Sequence, residues 1–251
     1  MKILAASITR IGGRDYNQDY VLSTMLDNKG ACFVACDGLG SYAGSEIASR
    51  MCAEKVISDF EKIATLDIER AIKKEYFESY IRESHENILS FKSQNPRIAS
   101  SCTTIAAVAT NAKKTIIGHI GDSRVYFFKK SRLKHQTLDH SLSQVAVEQG
   151  HIALRDIRSH KDQNKLTRVL GSDYYIAPDF HEVNEPLEVG DAFILCTDGF
   201  WEYVYEEEME HDLEISKAPS EALDRMELRL LSRVQRYNDN YSAIVVKVVE
   251  D

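Results

Sequence analysis

The chain alternates between short apolar runs and longer segments with helical periodicity. Apolar or alternating runs, several of them rich in Val and Ile, predict strands. These runs lie at residues 3–9, 19–25, 31–36, 103–110, 114–120, 124–128, 192–197 and 242–249. Apolar residues on one helical face predict helices at 43–62, 68–92, 140–149 and 219–236. Because two consecutive helices separate two blocks of strands, the pattern favours the α+β class over a regular βαβ repeat.

The sequence contains no segment that is typical of a boundary between domains. The sequence has four prolines, no internal repeat and no Pro/Gly/Ser-rich linker, which predicts a single domain over residues 1–251. Residues 150–172 form the least regular long segment. Long irregular segments in compact domains are often functional, so this segment is expected to be a flap.

Composition narrows the class of partner. The chain has 31 basic and 39 acidic residues and a net charge of −8, which argues against a nucleic acid held by bulk electrostatics. Its five cysteines form no CxxC pair and favour reduced thiols in a reducing, cytoplasmic compartment. The first residues do not form a secretory signal core, and no apolar run is long enough to insert into a membrane.

Four aspartates stand where apolar strands begin or end. Their contexts are "FVACDG" (Asp37), "IIGHIGDSR" (Asp122), "AFILCTDGFW" (Asp198) and "NDNYSAIVVKV" (Asp239). Taken singly, Asp-Gly and Asp-Asn are ordinary turn residues. An ionised carboxylate beside the core is costly unless it is paired or binds a cation, so their repetition favours a shared cation site at one sheet edge.

The chemistry of these side chains suggests which cation. Oxygen ligands suit magnesium or manganese, and Gly38 would let its backbone carbonyl approach a metal closely. Histidine spacing typical of zinc sites is absent, and His119, within a strand, is interpreted as a core residue. The segment "RIGGRDYNQD" adds Arg14 and Asp19; it could be a surface turn, or Arg14 could grip phosphate oxygens.

Taken together, the motifs resemble the metal-dependent protein phosphatase family of the 2C type, and in particular its compact bacterial members. The matching stretches occur in the order of the family over nearly the whole chain. They are "RDYNQD" (14–19), "DGLGSYAGSEIAS" (37–49), "SSCTTIAAV" (100–108), "IGDSRVY" (120–126), "LDHSL" (138–142), "NKLTRVLG" (164–171), "LCTDGFWEYV" (195–204) and "DNYSAIVV" (239–246).

The resemblance implies a four-layer α-β-β-α sandwich of two antiparallel sheets flanked by helices. It also implies two manganese or magnesium ions in a core site. Their ligands would be Asp37, the carbonyl of Gly38, Asp198 and Asp239. Asp19 would support a metal-bound water, Asp122 would help hold a third, weaker ion, and Arg14 would bind the substrate phosphate.

The implied activity is hydrolysis of phosphoserine and phosphothreonine in proteins. A water or hydroxide bridging the metals would attack phosphorus in line, with Asp37 as the bridging carboxylate. The implied partners are phosphoprotein substrates and a cognate serine/threonine kinase, and the protein is expected to be a monomer. Residues 150–172 correspond to the variable flap of the family.

Some positions depart from the family pattern. Leu39 stands where many eukaryotic members have a histidine proposed as the general acid, so the acid is unassigned and a metal-bound water is the preferred candidate. Gln18 replaces a water-mediated acidic ligand, and Cys102 replaces a glycine. Gly40 is expected to help the chain turn into the first helix, and Ser41 replaces a glycine of the motif.

Other polar and aromatic residues near the motifs receive structural interpretations. Thr103 and Thr104 are interpreted as strand residues, Asp139 as a helix N-cap, and Trp201 as a core residue behind the metal site. Asp139, His140 and Ser141 are too close in sequence to form a catalytic triad.

Two alternative functions are considered. A catalytically weak relative that binds phosphoproteins as a regulator would be expected to have lost at least one of the predicted site residues, and Arg14, Asp37, Asp198 and Asp239 are all present. A haloacid-dehalogenase type of phosphatase would need an Asp-x-Asp motif, which "DGLGS" lacks.

Overall fold

The computed structural model describes residues 1–27, 30–39, 42–174, 176–234 and 237–250. Gly40 and Ser41 lie outside these ranges. The strands of the described chain are Lys2–Arg10 (β1), Asp19–Leu26 (β2), Gly30–Asp37 (β3), Ile105–Thr110 (β4), Thr115–Ile120 (β5), Arg124–Lys129 (β6), Arg132–Gln136 (β7), Asp179–Val183 (β8), Ala192–Cys196 (β9) and Tyr241–Val249 (β10).

Two five-stranded antiparallel sheets contain these strands. One has the order β1-β10-β9-β6-β7 and the other the order β2-β3-β4-β5-β8. The helices are Ser45–Leu66 (α1), Ile68–Ala71 (α2), Lys74–Gln94 (α3), Leu142–Glu148 (α4), Asp198–Trp201 (α5), Glu206–Ile215 (α6) and Pro219–Leu231 (α7). Short 3-10 helices span Pro96–Ile98 and Leu154–Ser159.

Three hydrophobic clusters hold the layers together. One packs α1 and α3 against the second sheet, and another packs α5, α6 and α7 against the first. The third lies between the sheets and includes Phe33, Val108, Phe193 and Ile244. Strands buried on both faces explain the nearly continuous apolar runs of β3, β4 and β9. The predicted α+β class and four-layer sandwich are confirmed.

The sequence pattern misses β7 and β8, and both are edge strands. Their sequences, RLKHQ and DFHEV, carry many polar residues, and only Val183 is buried. Polar edge strands are common because they discourage pairing with other chains. Such strands lack the apolar run on which the prediction depends.

Several predicted helices differ in their limits. The segment 68–92 is broken into α2 and α3, because Lys73 adopts an extended conformation between them. The segment 140–149 is shorter, since Ser141 is the N-cap of α4 and its side chain accepts a hydrogen bond from the Gln144 N–H. The segment 219–236 ends at Leu231. Helix α6 is not predicted, and it buries only Met209, Asp212 and Leu213.

Helix length and polarity also bear on membrane insertion. Among the residues that the structure describes, no helix combines the length and apolar character required to cross a bilayer.

Candidate metal centre

A cleft of about 220 Å³ opens at one end of the sandwich, where the predicted aspartates meet. Antiparallel strands bring a strand start, a strand end and a connecting turn to the same end of a sheet. The residues that line the cleft are Arg14, Asp37, Leu39, Tyr42, Asp122, Asn164, Leu166, Asp198 and Asp239.

Asp37 is the last residue of β3, and it lies opposite Asp19, the first residue of β2. The backbone around Asp37 is held by two threonines. The Asp37 N–H donates to Thr104 Oγ1 at 3.0 Å, and Thr103 Oγ1 donates to the Asp37 carbonyl at 2.9 Å. Both threonines therefore orient the backbone of the site. Thr103 forms isolated bridges and Thr104 directly precedes β4, so neither lies within a strand as predicted.

Gly38 follows in a tightly enclosed position. A Cβ atom at Gly38 would lie 2.4 Å from the Ser45 carbonyl oxygen and 2.8 Å from that of Gln18. The Gly38 N–H donates to that same Gln18 carbonyl at 3.0 Å. Only glycine fits between the start of α1 and the strand β2, which explains the Asp-Gly pair.

Asp198 and Asp239 come from the other sheet. Asp198 begins α5 directly after β9, and the Gly199 N–H donates to its Oδ1 at 2.6 Å. Asp239 lies just before β10, beside the loop that carries Arg14. Gly12 in that loop has a φ of 58°, and a Cβ atom there would lie 2.1 Å from the Asp239 carbonyl oxygen. The glycine pair before Arg14 thus permits close packing of this loop on Asp239.

Arg14 points into the cleft from this loop. Its Nη2 donates to Asp239 Oδ2 at 2.6 Å. The Arg14 side chain is 47% exposed, so its other N–H groups face the open side of the cleft.

Burial and mutual repulsion raise the pKa values of the acidic groups of the site. Burial, reinforced by the negative charge of Asp198, raises the pKa of Asp37 and of Asp122 well above the usual range. Burial raises the pKa of Asp19 to about 7, and burial with the charge of Asp239 raises the pKa of Asp198 to about 6. The protein thus holds carboxylates whose charge its own cations do not balance.

Buried oxygen atoms without hydrogen-bond partners also indicate that the site lacks positive charge. Among the described residues, Asp19 Oδ1 and Asp122 Oδ1 are buried without a hydrogen-bond partner, although Thr197 Oγ1 donates to Asp19 Oδ2 at 2.8 Å. Buried carboxylate oxygens are normally paired. An all-oxygen donor set of this kind fits hard divalent cations such as magnesium or manganese.

The structure therefore brings all the predicted site residues to one end of the sandwich. Sequence reasoning did not single out Tyr42, Asn164 or Leu166, which complete the wall of the cleft. Two of them lie in the segment 150–172, whose irregularity was the available signal. Glu202 was also missed; Gln163 Nε2 donates to its Oε1 at 2.5 Å, and burial raises the pKa of Glu202 to about 8.

A second cluster of ligand-type side chains lies where β5 pairs with β8. Potential ligand atoms of His119, His140 and Asp179 lie within 4.8 Å of one another, although sequence spacing indicated no histidine cluster. Arg168 Nη1 lies 3.1 Å from His140 Nε2 and 3.1 Å from Asp179 Oδ1. A guanidinium already supplies the positive charge here. His119 itself is buried as predicted, with Nε2 2.8 Å from the Leu138 carbonyl oxygen.

Comparison with known proteins agrees with this geometry. The family model described as protein phosphatase 2C matches residues 9–237. The serine/threonine phosphatase stp of Listeria welshimeri is 31% identical over 203 residues, which cover 79% of this chain and 77% of that protein.

Solved structures show the same fold. Stp1 of Staphylococcus aureus, a serine/threonine phosphatase, is 23% identical and has a TM-score of 0.84 over 100% of this chain and 96% of that chain. The catalytic domain of the serine/threonine phosphatase PstP, solved with two manganese ions, is 24% identical and has a TM-score of 0.76 over 99% of each chain. From the family match and the Listeria relative together, the chain belongs to the protein phosphatase 2C family.

Proposed function

We propose that this protein is a metal-dependent phosphatase that hydrolyses phosphoserine and phosphothreonine in proteins. The observation that carries the proposal is the convergence of four carboxylates and one arginine in a single cleft. Named relatives of the family that act as serine/threonine phosphatases support the same activity. The alternative of a catalytically weak regulator is not favoured, because the acidic residues and Arg14 are all present and assembled.

The metal ligands in this proposal are Asp37, the Gly38 carbonyl, Asp198 and Asp239, with Asp19 and Asp122 as supporting groups. The two manganese ions of the PstP structure support manganese, with magnesium as the alternative. A pair of such ions supplies a water nucleophile of lowered pKa and positive charge beside the phosphoryl oxygens. Asp122 would contribute to a third, weaker ion.

Arg14 is proposed to bind the substrate phosphate. A guanidinium has five N–H groups, and within the described structure only Nη2 of Arg14 is engaged, by Asp239. The remaining donors can grip phosphate oxygens in the bidentate manner that arginine favours. The contact with Asp239 also fixes the side chain over the cleft before substrate enters.

Leu39 lines the cleft and carries no proton to donate. The leaving oxygen of serine or threonine must therefore receive its proton from solvent or from another group in the cleft. In this proposal a metal-bound water would be the preferred donor. The Leu39→His variant tests whether an imidazole at this position changes the pH dependence of hydrolysis.

We further propose that residues 1–251 are one catalytic domain, because the cluster between the sheets joins both halves of the sandwich. The segment 150–172 is the proposed flap, since Asn164 and Leu166 reach the cleft from it. A cytoplasmic location is supported by five buried free cysteines. A monomeric state and a cognate serine/threonine kinase remain proposals by analogy with bacterial members.

The decisive experiment is hydrolysis of p-nitrophenyl phosphate and of a phosphothreonine peptide, with manganese and with EDTA. We expect manganese-dependent release of phosphate from both, and its loss in Asp198→Ala. An inactive wild-type protein in manganese, or an Asp198→Ala variant with the full rate, would overturn the proposed function.

A further inference from the structure

Trp201 connects two of the acidic residues of the cleft. It ends α5, the short helix that Asp198 begins, and it is 1% exposed. Its indole Nε1–H donates to the Asp122 backbone carbonyl at 2.9 Å. One buried side chain thus joins the turn that carries Asp122 to the helix that carries Asp198.

The face of the indole ring packs against Arg124. The Arg124 guanidinium carbon lies 3.5 Å from the centre of the Trp201 ring. Arg124 makes a bidentate ion pair with Asp139, with Nε–Oδ1 and Nη2–Oδ2 distances of 2.8 and 2.7 Å. These two side chains are only 3% and 2% exposed. Asp139 is therefore an ion-pair partner, and the prediction that it caps a helix is wrong.

The contacts then return to the Asp122 turn. His140, the neighbour of Asp139, donates its backbone N–H to the Gly121 carbonyl at 2.8 Å, and the Gly121 N–H donates to His140 Nδ1 at 3.2 Å. Directly after Asp122, Ser123 Oγ lies 2.6 Å from Thr104 Oγ1. Each residue from 121 to 123 is therefore held by a hydrogen bond, and among the described residues the Trp201 bond is the one hydrogen bond that joins this turn to α5.

The Asp122 side chain explains why such a restraint is needed. Its Oδ1 is buried without a partner among the described residues, and the negative charge of Asp198, which lines the same cleft, repels it. Gly121 has a φ of 100°, a backbone conformation that favours glycine, and a Cβ atom there would lie 2.5 Å from Thr104 Cγ2. A carboxylate repelled by another moves apart from it unless its backbone is restrained.

We propose that Trp201 is a positioning residue, whose indole N–H keeps Asp122 at the distance from Asp198 that suits a divalent cation between them. This inference rests on the proposed function, in which Asp122 helps to hold the third, weaker ion. Trp201 touches neither substrate nor metal. Loss of its N–H weakens the Asp122 site and leaves the core site of Asp37, Gly38, Asp198 and Asp239 intact.

Trp201 is the only tryptophan of the sequence, which allows a test that preserves its shape. Benzothienylalanine, which has sulfur in place of the N–H, can replace tryptophan during expression and then changes this position alone. A ring-fluorinated tryptophan, which keeps the N–H, is the matched control. Trp201→Phe and Asp122→Asn are the genetic counterparts, and Tyr126→Phe removes a hydroxyl from the same buried cluster without touching the Asp122 turn.

The readout is titration with Mn²⁺ alone, followed by electron paramagnetic resonance of the free ion, at equal protein concentration. Outer-layer contacts to metal ligands typically change affinity by about 10- to 100-fold. We expect a loss of that size in the weakest Mn²⁺ site for benzothienylalanine and Trp201→Phe, as in Asp122→Asn. The tighter sites, the fluorinated control and Tyr126→Phe should match the wild type.

Two results would overturn the inference. One is an unchanged weakest site in folded benzothienylalanine protein, with folding checked by circular dichroism; the other is a wild-type protein that binds only two ions. Failure of the proposed function looks different, because wild-type protein would then not hydrolyse phosphopeptide in manganese. If Trp201→Phe does not fold, the benzothienylalanine protein decides the question.

Discussion

The acidic cleft and the histidine cluster contain the same kinds of side chain that proteins use to bind metals, yet they differ in one respect. In the cleft, Asp19 and Asp122 have buried oxygens without partners within the described structure. In the histidine cluster, the Arg168 guanidinium lies 3.1 Å from both His140 and Asp179. The first region has one arginine, Arg14, among four carboxylates, whereas in the second region Arg168 balances the single carboxylate of Asp179.

This difference teaches that ligand-type residues close together are not sufficient evidence for a metal site. Burial of unpaired carboxylates costs free energy, and a bound divalent cation recovers it. Where an arginine balances the single carboxylate of a cluster, that free energy is already recovered, and a metal would have to displace a charged side chain. The balance of charge around a cluster therefore distinguishes a candidate metal centre from a structural ion pair.

The largest expected difference between the two regions is in the effect of an Asp→Asn substitution on the rate of hydrolysis. Asp37→Asn should lower manganese-dependent hydrolysis of phosphopeptide by about a hundredfold or more, because two-metal charge stabilisation is worth several kcal/mol. Asp179→Asn in the histidine cluster is the control and should keep the rate within about twofold. Equal losses of kcat in the two folded variants would remove the distinction between the regions.

Divalent cations should stabilise the protein through the cleft alone. With Mn²⁺ at a hundred times its dissociation constant, the free energy of unfolding should rise by about 2.7 kcal/mol for each independent site. Urea denaturation with manganese or with EDTA measures this increment. Asp198→Asn should reduce this increment and His140→Ala should leave it unchanged. A smaller increment in His140→Ala would show that manganese binds at the histidine cluster.

The pH dependence of stability should reveal the raised pKa of Asp19 in metal-free protein. Because burial raises this pKa from 3.8 to about 7, the folded protein keeps a proton that the unfolded chain releases. Asp19 therefore makes stability fall as pH rises between about 4 and 7, by an amount on the order of 4 kcal/mol.

The Asp19→Asn variant lacks this titration. In EDTA, its advantage over wild type in the free energy of unfolding should grow from pH 4 to pH 7 and stay constant above. Urea denaturation across this range measures the difference. An advantage that stays constant with pH would contradict the assignment of a raised pKa.

The smallest effect concerns the cation of the histidine cluster. The Arg168–Asp179 pair is partly exposed, at 40% and 56%, so Arg168→Ala should cost no more than about 1 kcal/mol of stability. It should also free His119, His140 and Asp179 to bind Zn²⁺, which favours imidazole ligands. Calorimetric titration with zinc tests this, with Arg168→Lys as the control that keeps a charge. Equal zinc binding at this cluster in wild type would show that Arg168 does not exclude the metal.

The sequence predicted most of the sandwich and the main residues of the cleft. Strands β3, β4 and β9 lie between two covered faces, so their apolar runs are long enough to recognise. Asp37 and Asp198 were recognisable because each directly follows such a run and precedes a glycine. The polar edge strands β7 and β8 lacked this signal, and their positions depend on pairing with β6 and β5.

Local pattern thus determined the fold class, the buried strands and the aspartates at their ends, since burial imposes a periodicity that neighbouring residues display. Only the tertiary structure decided the pairing of Arg124 with Asp139, the contact of Trp201 with Asp122 and the position of Arg168 among the histidines. These contacts join residues that lie in different elements or loops, and the free energy of a buried charge depends on which groups surround it in space.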